Sequence, residues 1–170
     1  KIGHAGRIFI GYSILVATAD GGGTVECRPN HFPAINEKQK RTLSYVEDIE
    51  PELDNSVLLP PRTWQRELTL ESRLEAVKTE ARKLGVNRIL YRPQKGERVP
   101  LGFIAAGMGY AYLAHALAEM GLAGRLPILK LGMTYPVDDK LVREFAQHCE
   151  QVVVIEERRA FVERQVLEIL

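Results

Sequence analysis

"ILKLGMTYPVDDKLVREFAQHCEQVVVIEE", residues 128–157, decides how this chain is read. An apolar run, Ile128 to Leu131, stops at Gly132, and a Tyr-Pro turn follows. Pro136 fixes the backbone ahead of the next segment, and Asp138 suits the N-cap of a helix. Beyond it, Leu141, Val142, Phe145 and Ala146 fall on one face at helical spacing. "QVVVIEE" is then rich in β-branched residues, as a strand prefers. The stretch therefore predicts strand, loop, helix and strand in succession.

The same alternation extends outward. On the N-terminal side, "LGFIAA" (101–106) predicts a strand, and "GMGYAYLAHALAEMG" (107–121) predicts a glycine turn and a helix. On the C-terminal side, "RRAFVERQVLEIL" (158–170) predicts a last helix. Further upstream, Leu70, Leu74, Val77, Ala81 and Leu84 keep helical spacing. Glu71 suits the positive start of that helix, and Gly85 is placed to stop it. "NRILY" (87–91) then reads as a short strand, and "RPQKGERVP" as a polar loop. Strands this continuous in apolar residues are usually covered on both faces. Repeated strand–helix–strand units imply crossovers within one sheet. The expected fold is α/β, an open and mostly parallel doubly wound sheet over residues 69–170, preceded by an N-terminal helix and a long linker.

The first part of the chain is less regular. Residues 7–19 predict a helix closed by the glycines 21–23, and "TVEC" predicts a brief extended piece. Residues 27–63 carry five of the nine prolines and many charges with weak periodicity. They read as a connector that wraps over another part of a larger molecule, because a structureless loop of that length is improbable inside a compact domain. The chain starts at Lys1 and ends on the apolar "VLEIL", so it reads as a segment of something longer.

Composition narrows the function classes. The chain has 170 residues, enough for one domain with a real core, and a net charge of +1. That balance gives no reason to expect a nucleic-acid or membrane partner. The longest early apolar stretch, residues 8–19, is broken by polar residues and shorter than the roughly 20 residues needed to span a bilayer. Cys27 and Cys149 are far apart and form no CxxC motif, so a disulfide framework, a zinc site or a four-cysteine cluster is unsupported. Reduced thiols in a cytoplasmic protein are expected. His4, His31, His115 and His148 are scattered, with no second histidine at ligand spacing, and no catalytic triad can be assembled.

In an open α/β sheet, ligands and partners meet the carboxyl ends of the strands. Here those ends are three short sequences. "AAGMGY" sets Gly107 and Gly109 between a strand and a helix, followed by Tyr110. Exposed amides at a helix start can hold an anion, but the third glycine of a dinucleotide fingerprint and a P-loop lysine are both missing. A tight turn that needs small residues explains the pattern as well. In "GMTYP", Thr134 and Tyr135 are not required by the turn, so they are candidates to face a neighbouring domain or a substrate. In "EERR", Glu156 and Glu157 would point oppositely if the strand persisted, which argues against a paired acid–base role. Salt bridges or a cap on the last helix are expected of them instead. These seven residues are the interface or ligand candidates. No catalytic residue and no metal ligand is assigned.

"LGFIAAGMGYAYLAHAL", "LPILKLGMTYPVDDKLVREFAQHCEQVVVIEERRAFVERQV" and "GRIFIGYSILVATADGGGTVE" together resemble the 2-oxoacid:ferredoxin oxidoreductases, most closely the long fused form of the indolepyruvate ferredoxin oxidoreductases. The resemblance is strong over residues 101–170 and moderate over 1–26 and "LLPPR". The C-terminal domains of transketolase-like enzymes share the strand–Glu-Glu ending more broadly. The resemblance implies a parent enzyme that uses thiamine diphosphate, Mg and iron–sulfur clusters. Such an enzyme oxidatively decarboxylates an aryl-pyruvate or related 2-oxoacid, reduces ferredoxin and releases an acyl-CoA. It further implies a domain order. Residues 1–26 would end a thiamine-pyrimidine-binding domain, 27–68 would link, and 69–170 would be the transketolase C-terminal-like domain. The segment has no GDG-type diphosphate motif and no cluster cysteines, so it is expected to hold no cofactor itself. Its role would be to brace the subunit against other domains or subunits of a homo-oligomer. Two alternatives stay open. One is a free-standing α/β module that binds a nucleotide or phosphate at the GMG turn. The other is a domain of the transketolase or 2-oxoacid dehydrogenase type.

Overall fold

A computed structural model describes residues 1–11, 59–94 and 96–170. Contacts divide the chain into two units, Lys1–Phe9 with Leu70–Leu170, and Ile10–Thr69. The described part of the second unit is residues 10–11 and 59–69. The expected extended piece at 24–27 and most of the expected linker lie outside the described residues. The last residues of that linker are helical, as α2 (Arg62–Leu68).

The first unit begins with α1 (Ile2–Gly6). The helix expected from Arg7 onward is corrected here. Arg7 adopts φ 48° and closes α1, and no helix continues over residues 8–11. The Ile8 amide donates to Gly3 O, which ends the helix in a tight turn. Arg73 seals that end. Its Nε donates to Gly6 O at 2.9 Å and an Nη to Arg7 O at 2.7 Å. Residues 12–19 of the expected helix lie outside the described residues.

Arg73 belongs to α3 (Leu70–Lys83), which buries Val77 and Ala81 as the periodicity requires. Gly85, at φ +61°, turns the chain out of this helix. The sheet follows. It comprises β1 (Arg88–Leu90), β2 (Val99–Ala106), β3 (Ile128–Leu131) and β4 (Cys149–Ile155) in the order β1-β3-β2-β4. β2 pairs in parallel with both β3 and β4, while β1 runs antiparallel along β3. α4 (Gly107–Glu119) connects β2 to β3, α5 (Asp139–Ala146) connects β3 to β4, and α6 (Val162–Ile169) follows.

Strand alternation sorts the side chains onto two faces. Ala105 and Ile128 meet Leu113 and Leu117 of α4 on one face. Ile104, Leu129 and Leu131 meet Val142 and Phe145 of α5 and Val162 and Val166 of α6 on the other. Helices therefore cover both faces, and the open, mostly parallel α/β sheet read from the sequence is borne out. β4 departs from the expectation of full burial. Among the described strands it stands at an edge, and its Glu150, Gln151 and Val153 are exposed. α4 packs on β2 and on the end of β4 near Ile155, so the earlier residues of β4 stay uncovered on that side.

Candidate functional site

The parallel strands end at three loops, and each loop is held by side chains that reach across the sheet edge. At the end of β2, Gly107 takes φ +53°, which L side chains rarely adopt. A Cβ on Gly109 would lie 2.9 Å from Ile155 O, so the first turn of α4 packs directly on the end of β4. The two glycines thus serve the turn and the close approach. Glu157 Oε1 accepts from the Met108 amide at 3.3 Å. The chain's own carboxylate therefore stands at the helix start where an external anion would bind. β3 lies on one side of β2 and β4 on the other, and the two connections use opposite faces. The crevice between the ends of β2 and β4 is thus where such sheets take ligands, and Glu157 bridges it.

The loop after β3 is fixed at both ends by amide side chains. Asn87 Oδ1 accepts from the amides of Gly132 and Met133, both at 2.9 Å. Gln165 of α6 accepts from the Val137 amide at 3.0 Å and donates to Thr134 O at 3.0 Å. Pro136, joined to Tyr135 by a cis peptide, is buried with Val137 and Asp138. Asp138 is only 1% exposed and caps α5 through the amides of Lys140 and Leu141. Its other oxygen lies 2.6 Å from Arg82 Nε of α3. Next to it, Asp139 Oδ1 accepts from Lys78 Nζ at 2.8 Å. That bond holds the Asp139 carboxyl below its ordinary pKa, with burial working in the opposite sense. Burial opposes the Lys78 ammonium, but hydrogen bonds and charge from Asp139 and Glu75 outweigh it and raise its pKa.

After β4, Glu156 turns inward. Its two oxygens accept from the amides of Phe161, Val162 and Glu163 at 2.8–3.2 Å. It is the cap of the last helix that the sequence had suggested. Glu156 and Glu157 thus face different amides, and neither forms an ion pair among the described residues. Arg158 and Arg159 stand exposed between them and Phe161. Tyr135 and Phe161 meet with ring centroids 6.3 Å apart, yet they remain 60% and 53% exposed.

The structure therefore brings Gly107 to Glu157, Tyr135 to Phe161, and Thr134 to Gln165. Tyr110 turns elsewhere, with Lys130 Nζ 4.2 Å from its ring centroid. Sequence reasoning missed Asn87, Gln165 and the Arg82–Asp138 pair. Their partners are backbone groups or residues far along the chain, which no local spacing announces. Among the described residues no group of three or more His, Cys, Asp or Glu converges as a metal site. The described cysteine, Cys149, is buried with its Sγ near Phe145 O. With Cys149 the one cysteine among them, the described residues do not fit an iron–sulfur cluster. Among them no helix is long and apolar enough to cross a membrane.

Residues 91–170 match the family model for the indolepyruvate oxidoreductase domain. These residues belong to that domain family. The resemblance to the 2-oxoacid:ferredoxin oxidoreductases read from the sequence is thereby borne out. Indolepyruvate oxidoreductase subunit IorA of Methanothermobacter marburgensis is 33% identical over 143 residues, covering 82% of this chain and 22% of that protein. The subunit from Archaeoglobus fulgidus is 32% identical over the same shares. The Pyrococcus abyssi subunit is 41% identical over 70 residues, 41% of this chain and 11% of that protein. A solved 2-oxoglutarate:ferredoxin oxidoreductase from Magnetococcus marinus, with 2-oxoglutarate, coenzyme A and succinyl-CoA bound, is 16% identical. It aligns at a TM-score of 0.45 over 66% of this chain and 19% of its own. The chain thus spans about a fifth of the length of the Methanothermobacter marburgensis and Archaeoglobus fulgidus relatives it matches.

Proposed function

We propose that residues 69–170 are a non-catalytic bracing domain of a thiamine diphosphate-dependent 2-oxoacid:ferredoxin oxidoreductase acting on an aryl-pyruvate such as indolepyruvate. The family match supports the parent activity. One observation supports the bracing role: the strand-end carboxylates Asp138, Glu156 and Glu157 bond backbone amides, while Tyr135, Arg158, Arg159 and Phe161 stay exposed. Glu156, Glu157 and Asp138 are all engaged with backbone amides, so none is poised over a substrate. Exposed Tyr, Phe and Arg are the residue types that anchor protein interfaces. In this reading the parent supplies thiamine diphosphate, Mg and the iron–sulfur clusters from other domains. It reduces ferredoxin, releases an acyl-CoA and works as a homo-oligomer in the cytoplasm. Residues 1–26 would close the preceding thiamine-pyrimidine-binding domain, and 27–68 would link it to the brace. The alternative of a module binding phosphate at the GMG turn is disfavoured by Glu157.

An immunoblot of cell extract with an antibody to this chain tests the larger parent. A band far above 19.1 kDa is expected. A single band at that mass would overturn the reading. The bracing role is tested in the full-length polypeptide with Tyr135→Ala and Phe161→Ala combined. Native mass spectrometry should show lost assembly, and indolepyruvate-dependent viologen reduction should fall with it. Intact assembly with unchanged turnover would overturn the brace.

A further inference from the structure

Two cations face each other on the sheet with no counter-charge among the described residues. Arg88 of β1 and Lys130 of β3 are direct cross-strand partners. Side chains so placed have Cβ atoms about 5 Å apart, and like charges there destabilise the pairing. Both residues are exposed, and neither forms an ion pair with a carboxylate among the described residues. Arg88 Nε donates to Gly85 O at 2.9 Å, and among the described residues its terminal nitrogens have no carboxylate partner. The Lys130 ammonium lies against the Tyr110 ring. Lys130 is also the one charged residue in a strand otherwise buried.

A groove runs beside the pair, walled by Leu84, Val86, Leu90 and Tyr110. Its place in the fold is favourable. Lys130 lies one residue before the end of β3, and antiparallel β1 starts level with it, so the groove opens near the carboxyl edge of the sheet. A single dianion would neutralise both cations at once. The Arg fork matches phosphoryl oxygens bidentately, and lysine supplies a point charge. The apolar wall and the tyrosine ring suit a ligand whose phosphate rides on an apolar or aromatic body.

We propose that the Arg88–Lys130 groove is a binding site for a phosphomonoester with an apolar or aromatic body. It is separate from the Gly107–Glu157 turn and independent of the oxidoreductase reading. The like-charge pair is then the open half of an ionic contact that the ligand completes.

The test is calorimetric titration of the 170-residue chain with phenyl phosphate and with inorganic phosphate, at matched ionic strength. Phenyl phosphate should bind saturably and at least ten-fold more tightly than inorganic phosphate. Arg88→Gln and Lys130→Gln should each weaken it at least ten-fold. Lys130→Glu should abolish binding while the chain stays folded by circular dichroism, because an opposite-charge pair replaces the like-charge one. No saturable binding of phenyl phosphate would overturn the proposal. So would equal affinity for the two probes, or affinity unchanged in the three variants.

Discussion

At the scale of single residues, Asp138 carries the most. It caps α5 and meets Arg82 while almost fully buried. Asp138→Ala removes the cap and strands the arginine, so urea denaturation should show a loss of about 2–4 kcal/mol. Asp138→Asn keeps a capping oxygen and should fall between. Asp139 gives a pH signature instead. Its folded pKa lies below the ordinary 3.8, so its contribution is present above that value and is lost as pH falls through the folded pKa. Asp139→Asn should therefore cost stability at neutral pH and bring the variant level with the wild type in strong acid. The Lys78 side of the pair acts at the other extreme. Its folded pKa is raised, so its contribution holds below 10.5 and fades as pH climbs through the folded value. Burial raises the Cys149 thiol pKa, with Arg98 pulling weakly the other way. In a Cys27→Ala background, Cys149 should resist alkylation at pH 8 until the protein unfolds.

Between elements, the loop from Gly132 to Asp138 is held by two side chains from distant positions. Asn87→Ala leaves two amides without an acceptor, and Gln165→Ala removes both a donor and an acceptor. Each should cost about 1–3 kcal/mol, with faster hydrogen exchange at Gly132 and Met133 or at Val137 respectively. Gly109→Ala would press a Cβ against Ile155 O and should cost about 1–3 kcal/mol by the same assay. This scale also marks where the sequence stops being legible. Helix α3 and the strands β2, β3 and β4 announced themselves by apolar period, because burial of a face is a local, repeating demand. Glycine spacing located the first turn of α4. Asn87 and Gln165 carry no such signal, since an amide chosen to satisfy backbone groups many residues away leaves no local trace. Over its described part, residues 7–11, the helix expected from Arg7 is absent for a related reason. Its apolar residues fit a helix, but Arg7 in a left-handed conformation, sealed by Arg73, ends the preceding one.

Across the whole molecule, the sheet order explains which surfaces are free. β4 stands at an edge with Val153 exposed, and the Tyr135–Phe161 pair lies at the carboxyl end beside Arg158 and Arg159. An open edge with apolar side chains is a ready template for association. Among the described residues β2 nevertheless has packed side chains on both faces. Apart from Tyr110, the candidate residues read from the sequence lie at the carboxyl ends of the strands, but their division of labour emerges only in three dimensions. Gly107, Gly109, Glu156 and Glu157 serve the fold, while Tyr135 stays outward and Tyr110 belongs to a different groove.

Glu157 has one more consequence. A carboxylate tethered beside the Met108 amide acts as a permanent competitor, present at a local concentration that a dissolved metabolite would struggle to match. A change in the level of free anions should therefore leave this end of the sheet unchanged.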